Sequence, residues 1–377
     1  MKVEGASTPS ARRWRVLAGD RGQALARLTE TLRDLPPDRC LWFGDQAPPG
    51  IRPLSRRDVQ GALGSECDLL VYDAHAGLYP DALAALLGTL RGGGELLLIT
   101  PPWDAWPAFD DPALERLAPW PLDGRAVGRR FVRRLQRLLE AAGPDRIQSA
   151  GQPVRLALSF TPERVPLTLT EDQQQAVEAI ERVALGHARR PLVLLADRGR
   201  GKSTAIGSAL ARLLAQRTRR ILLLAPSLGA VTAVFDQLAR ELPEGDRDGA
   251  IFRFGQGEVR FRRPAEYLAE DPRCDLLVAD EAAAPGLPFL QRLCERHNRL
   301  VFSTTVHGYE GSGRGFVTRF AQYLDGHFRQ WKRLVLQQPV RWAEGDPLEV
   351  LTDRLFLLSA EPDSPSRPPP QAGEDHG

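Results

Sequence analysis

The sequence predicts an α/β protein of two successive units, each a parallel sheet flanked by helices. Three observations carry this expectation. Short apolar runs of four or five residues alternate with stretches of helical periodicity. The alternation starts afresh after the proline- and glycine-bearing segment 144–166. At 377 residues, the chain exceeds the usual size of one domain.

Residues 1–150 form the first expected unit. Trp14 to Leu17, Cys40 to Phe43, Leu69 to Tyr72 and Glu95 to Ile99 read as buried parallel strands, with Gly22 to Arg33 and Pro80 to Arg91 filling crossovers. This is a doubly wound, Rossmann-like pattern, although no GxGxxG follows the first strand and no dinucleotide fingerprint is present. The second unit, 151–358, opens on a helix start: Thr170 as N-cap and Gln173 at the third helical position make a capping box. Pro191 to Leu195 reads as a strand, then comes Ala196-Asp197-Arg198-Gly199-Arg200-Gly201-Lys202-Ser203-Thr204, then the helical run Ala205 to Ala215. Leu276 to Ala279 is a further strand ending in Asp280-Glu281, and Arg299 to Phe302 another, followed by Ser303-Thr304-Thr305. The last stretch, 359–377, is rich in Pro, Ser, Asp and Glu and is expected to be a disordered tail.

Composition narrows the class. The hydrophobic share is 42% and the charged share 26%, and no apolar run reaches the roughly 18 residues of a membrane span. Met1 to Arg15 lacks the order of a secretory signal, so the cytoplasm is expected, without a membrane partner. Cys40, Cys67, Cys274 and Cys294 are isolated and the six histidines scattered, which suggests neither a zinc site nor a disulfide framework. Lys2, Lys202 and Lys332 are the only lysines among fifty basic residues. That arginine bias does not by itself mark a nucleic-acid binder.

Strand, glycine-rich loop and helix form the setting of a P-loop. Glycines let backbone N–H groups close around phosphate oxygens, a lysine reaches the outer phosphates, and a hydroxyl joins Mg²⁺. Here Arg198, Gly199, Arg200, Gly201, Lys202, Ser203 and Thr204 supply that loop for ATP, although the usual first glycine is Ala196. Asp280, with Ser203, is the expected Mg²⁺ holder, and Glu281 the group that orients or deprotonates the attacking water. Gln173 is expected to read adenine with its amide. Ser303, Thr304 and Thr305 are expected to couple γ-phosphate to nucleic acid, the ordinary alternative being a strand-end turn. Arg314, in the glycine-rich stretch Gly308 to Gly315, is the expected phosphate sensor. Two basic stretches suit an RNA backbone: arginines 130, 133, 134 and 137 on one helical face, and Phe252 to Arg263, where Phe and Arg interleave. A solvated face explains the first equally well, and a hairpin with one side in the core explains the second better.

These motifs together resemble the tRNA(Met) cytidine acetyltransferase family. The likeness rests on Asp197 to Ser203, on Asp280-Glu281-Ala282-Ala283-Ala284, and on Ser303-Thr304-Thr305 running into Gly308-Tyr309-Glu310-Gly311-Ser312-Gly313-Arg314-Gly315-Phe316. It extends through Leu69 to Ala74, Leu90 to Gly94 and Val340 to Glu349. The Ala196 departure is shared with the family. The resemblance implies a RecA-like, helicase-like P-loop ATPase in the second unit and elongator methionine tRNA as partner. No acetyl-CoA pyrophosphate loop occurs in the sequence, so acetyl transfer is expected from a separate acetyltransferase chain using acetyl-CoA. A nucleotide- or RNA-binding scaffold without turnover, and an RNA helicase, stand as the alternatives.

Overall fold

The structure, a computed structural model, describes residues 10–360 except 34, 63–64, 154–167, 187–188, 218, 271 and 306–312, and the side chains of 60 and 313–316. The expected disordered tail therefore lies outside the described residues, apart from 359 and 360. So does most of the segment expected to separate the two units.

The first sheet is built from β1 (Arg13–Ala18), α1 (Arg21–Thr31), β2 (Cys40–Phe43), β3 (Pro53–Leu54), α2 (Val59–Ala62), β4 (Cys67–Asp73), α3 (Pro80–Leu87), β5 (Leu90–Thr100), α4 (Arg130–Ala142) and β6 (Ile147–Ser149). Its strand order is β3-β2-β4-β5-β1-β6, all parallel. All seven residues of β4 are buried, because helices cover both faces of the sheet. Successive residues of β1 serve opposite cores: Val16 packs with α3 and α4, Leu17 with Ala24 and Leu28 of α1. The crossover expected over 80–91 is a helix only to Leu87. Leu90 pairs with Cys67 and is fully buried, so Leu90 and Arg91 belong to the strand.

The second sheet comprises α5 (Glu171–Leu185), β7 (Leu192–Ala196), α6 (Lys202–Gln216), β8 (Arg220–Leu224), α7 (Thr232–Glu241), β9 (Asp246–Asp248), β10 (Ile251–Phe254), β11 (Gly257–Arg262), α8 (Pro264–Glu270), β12 (Leu276–Ala279), α9 (Leu287–Arg296), β13 (Leu300–Thr305), α10 (Gly313–His327) and β14 (Lys332–Leu336). The order is β14-β7-β13-β12-β8-β11-β10-β9. The first six strands are parallel, and β10 and β9 close one edge as an antiparallel meander. The chain is thus an α/β protein with one parallel and one mainly parallel sheet, as the sequence predicts except for the antiparallel edge. The Phe252 to Arg263 stretch is a hairpin whose Phe252 and Phe261 are buried in the core, which removes both rings from base stacking. Ser303, Thr304 and Thr305 lie within β13, not after it, since all three pair with β7.

After β14 the chain crosses back to the first sheet. A last helix, α11 (Pro347–Phe356), places Leu348, Leu351 and Leu355 in the first core. Arg134 of α4 donates to the Arg354 and Leu355 carbonyls at its C-terminal end. Among the described residues no helix is long and apolar enough to cross a membrane.

Candidate functional site

The parallel order decides where the motifs meet. β13 lies between β7 and β12, so the loop after β7, the acids after β12 and the hydroxyls of β13 open at the same sheet edge. That is the carboxyl end, where open α/β sheets place ligands.

Lys202 begins α6, and Gly201 before it is left-handed, with φ 73°. A side chain at Gly201 would meet Gln173 Nε2 at 2.1 Å, so glycine is required by both conformation and space. Lys202 is buried, and its Nζ donates to Glu281 Oε1 at 3.1 Å and Thr305 Oγ1 at 3.3 Å, with Asp280 Oδ1 at 3.8 Å. Thr305 Oγ1 also donates to Glu281 Oε1, at 3.3 Å. Burial by itself would lower the Lys202 pKa, but the Glu281 and Asp280 carboxylates outweigh it and hold it above the usual value. Burial pushes Asp280 up, only partly opposed by Lys202. Burial also works to raise Glu281, yet Lys202 and Thr305 hold it below the ordinary range. The paired acids are therefore driven apart, with Glu281 the more readily ionised. Glu281 also has φ 50°, a backbone region that costs a non-glycine residue on the order of 1 kcal/mol.

Gln173 does close the predicted capping box: its Oε1 accepts from Thr170 N–H at 2.9 Å. Its Nε2 donates to Gly201 O at 3.1 Å, so the amide clasps the P-loop at one end and the helix start at the other. To read adenine it would exchange these bonds. Beside this helix start opens a cleft of about 920 Å³, walled by Thr170, Gln174, Arg212, Arg240 and Glu241, which holds none of residues 197–204. Ser203 and Thr204 stand half-buried in the first turn of α6. Ser303 Oγ sits beside Asp280 without a hydrogen bond of good geometry, and Thr304 Oγ1 is buried without a partner. Arg314 lies in the first turn of α10, a helix and not the expected loop, and its side chain is outside the described residues.

Sequence reasoning missed the support beneath the glycine-rich loop 197–201. Gly199, with φ 77°, packs its Cα face on Trp342: a Cβ there would meet the indole at 2.8 Å. Val340 and Arg341 N–H groups donate to Gly199 O at 2.9 and 3.3 Å. Arg198 reaches across to Ala85 O at the end of α3, at 3.2 Å, and Arg200 pairs with Glu349 of α11 at 2.8 Å. The Arg12 guanidinium lies 3.6 Å over the Trp342 ring and pairs with fully buried Asp346 at 3.0 Å. Trp342, within a segment that carries the family likeness, was the only available signal.

The donor set suits a nucleoside triphosphate with Mg²⁺. Two orphan hydroxyls, a buried carboxylate and a helix start entered through two left-handed glycines offer groups for phosphate oxygens and a hard cation.

Comparison with known proteins gives two family-profile matches. The N-terminal profile of tRNA(Met) cytidine acetyltransferase TmcA matches residues 3–146, and the helicase-domain profile of RNA cytidine acetyltransferase NAT10/TcmA matches residues 193–359. The tRNA(Met) cytidine acetyltransferase TmcA of Nitrosococcus halophilus is 40% identical over 96% of this chain and 50% of its own length. That of Vibrio cholerae is 40% identical over 85% of this chain and 42% of its own, and that of Haloferax volcanii 35% over 95% and 51%. The chain spans about half the length of these curated relatives. Among solved structures, the large terminase of a thermophilic bacteriophage (TM-score 0.34, 13% identity, 45% of each chain) and the Escherichia coli DEAH/RHA helicase HrpB (TM-score 0.21, 15% identity, 81% of this chain and 38% of that one) are similar too slightly to carry an argument.

Proposed function

The chain belongs to the tRNA(Met) cytidine acetyltransferase family, and from that premise we propose that its two units form an ATP-hydrolysing, RNA-engaging module. ATP turnover in it remodels elongator methionine tRNA so that the wobble cytidine can be acetylated at N4. Acetyl transfer from acetyl-CoA is left to acetyltransferase machinery other than the residues described. The observation that carries this reading is the cluster of buried Lys202 and Asp280 with half-buried Glu281 and Thr305 at the mouth of a glycine-rich loop.

Each residue has a role that its position suits. Backbone N–H groups of 199–203 at the α6 start cradle phosphates, and Lys202 is within reach to exchange Glu281 for phosphate oxygens. Ser203 and Asp280 would hold Mg²⁺, which neutralises charge on the outer phosphates. Glu281, held ionised, orients or deprotonates the attacking water. Thr305, bonded to both Lys202 and Glu281, and the free hydroxyls of Ser303 and Thr304 relay the state of the phosphates along β13. Arg314 serves as phosphate sensor, and Gln173 ties the helix start to the P-loop while contributing to the base end.

The test is ATP hydrolysis by the purified chain with and without elongator methionine tRNA. Turnover is expected, raised by tRNA, and Lys202→Ala should lower it by about 10²- to 10³-fold, the scale for losing one preorganised charge contact. No turnover under either condition, with Lys202→Ala indistinguishable from the parent, would sink the proposal.

A further inference from the structure

The ATPase reading leaves one charged surface unused. Helix α4 holds four arginines and a single glutamate in thirteen residues. The structure divides those arginines. Arg134 is committed to the carbonyls that end α11. Arg130, Arg133 and Arg137, which make no such contact, line an open cleft of about 700 Å³ together with Arg134, Trp103, Asp104 and Glu140. Among the described residues none of these three makes an ion pair: Glu140 accepts from Trp103 Nε1 at 2.7 Å, and Arg137 reaches only the Arg133 carbonyl, at 3.4 Å.

Their placement runs against the helix. Arg130 and Arg133 stand in the first turn, where the macrodipole disfavours cations, with no acid in that turn and no side-chain cap at Arg129. Spaced i, i+3 and i+7, the three form a row roughly 10 Å long on one face. A row of unpaired guanidiniums beside an indole suits an extended anion that presents charge at intervals. The two carboxylates in the cleft wall disfavour a compact, densely charged ligand sunk among them.

We propose that the Arg130, Arg133 and Arg137 face of α4 docks the phosphodiester backbone of the RNA, a proposal that rests on the RNA-engaging reading above. Such contacts are independent of base sequence, and they place RNA on the first sheet. The same sheet carries α11, whose Glu349 pairs with Arg200 of the P-loop, so docked RNA and nucleotide share one scaffold.

Counterion release makes the proposal quantitative. Each lost phosphate contact flattens the plot of log affinity against log salt by about 0.7 to 0.9. With the full chain and an unmodified elongator methionine tRNA transcript, titrated between about 50 and 200 mM salt, Arg130→Gln/Arg133→Gln/Arg137→Gln should flatten that slope by roughly 2 to 3. The corresponding triple lysine variant, which keeps the charges, should restore most of it. Arg182→Gln, on the exposed face of α5, should leave it unchanged. RNA-free ATP hydrolysis should stay at the parent rate in all of them. A glutamine variant with parent slope and parent RNA-free hydrolysis would overturn the docking proposal and leave the ATPase reading standing, whereas absent hydrolysis in the parent would sink that reading separately. A flattened slope that the lysines do not restore would also overturn it, since charge would not be the cause.

Discussion

Replacing Asp346 by leucine should destabilise the chain by about 3–5 kcal/mol, the usual cost of stranding a buried ion. The Asp346 carboxylate is fully buried and accepts from Arg12 N–H at 2.6 Å and from the Arg12 guanidinium at 3.0 and 3.1 Å. It also caps α11 by accepting from Glu349 N–H at 2.8 Å, a contact whose loss costs about 1 kcal/mol. Arg12 is 3% exposed, so in the variant its charge would keep only the Leu87 carbonyl, at 3.0 Å, and the Trp342 face. Adding Arg12→Met removes that stranded charge. Because a buried pair exchanged for apolar groups is often near neutral, the double variant should lose only about 1–2 kcal/mol, mostly the cap. Urea unfolding read by tryptophan fluorescence gives the double-mutant cycle, and ATP affinity of Asp346→Leu should fall with it because residues 340–342 grip Gly199. A single-variant loss under about 1 kcal/mol, or single losses that simply add, would refute the buried-pair reasoning.

Two further outcomes follow from the titrating groups. Burial raises the Asp280 pKa, so the folded chain binds that proton more readily than the unfolded chain; the group favours folding at low pH and opposes it as pH rises through the raised value. Asp280→Asn should therefore raise the melting temperature at neutral pH while losing ATP hydrolysis, and a lower melting temperature at pH 7 would contradict this. Burial pushes the thiols of Cys40, Cys67, Cys274 and Cys294 up to about 12. A thiol-reactive dye at about pH 8 should thus find almost no thiolate in the native chain and all four after unfolding; rapid native labelling would count against these burials.

Local signals made much of the site legible. The glycine-rich loop between β7 and α6, the capping box of Thr170 and Gln173, and the strand ending before Asp280 all rest on spacings within ten or so residues, and the structure places each on its predicted element. Boundaries were less legible where tertiary pairing overrides local pattern. Leu90 and Arg91 leave the predicted helix because β4 recruits them, and Ser303 to Thr305 join β13 because β7 does. The four-arginine face looked uniform in sequence, and only the return of α11 separates Arg134 from the rest.

What the sequence determined by itself was the inventory of the site: glycines, lysine, hydroxyls and paired acids on strand ends, with periodicities that allow two parallel sheets. The tertiary structure decided which of them touch. Lys202 meets Glu281 and Thr305 only because β13 inserts between β7 and β12, and Glu281 takes φ 50° only where that edge holds it. Bracing of the P-loop depends on Arg12 and Asp346, 334 residues apart, finding each other in a core. Periodicity reports which face of an element is buried, not what it is buried against, and a buried ion pair is specified by that second fact.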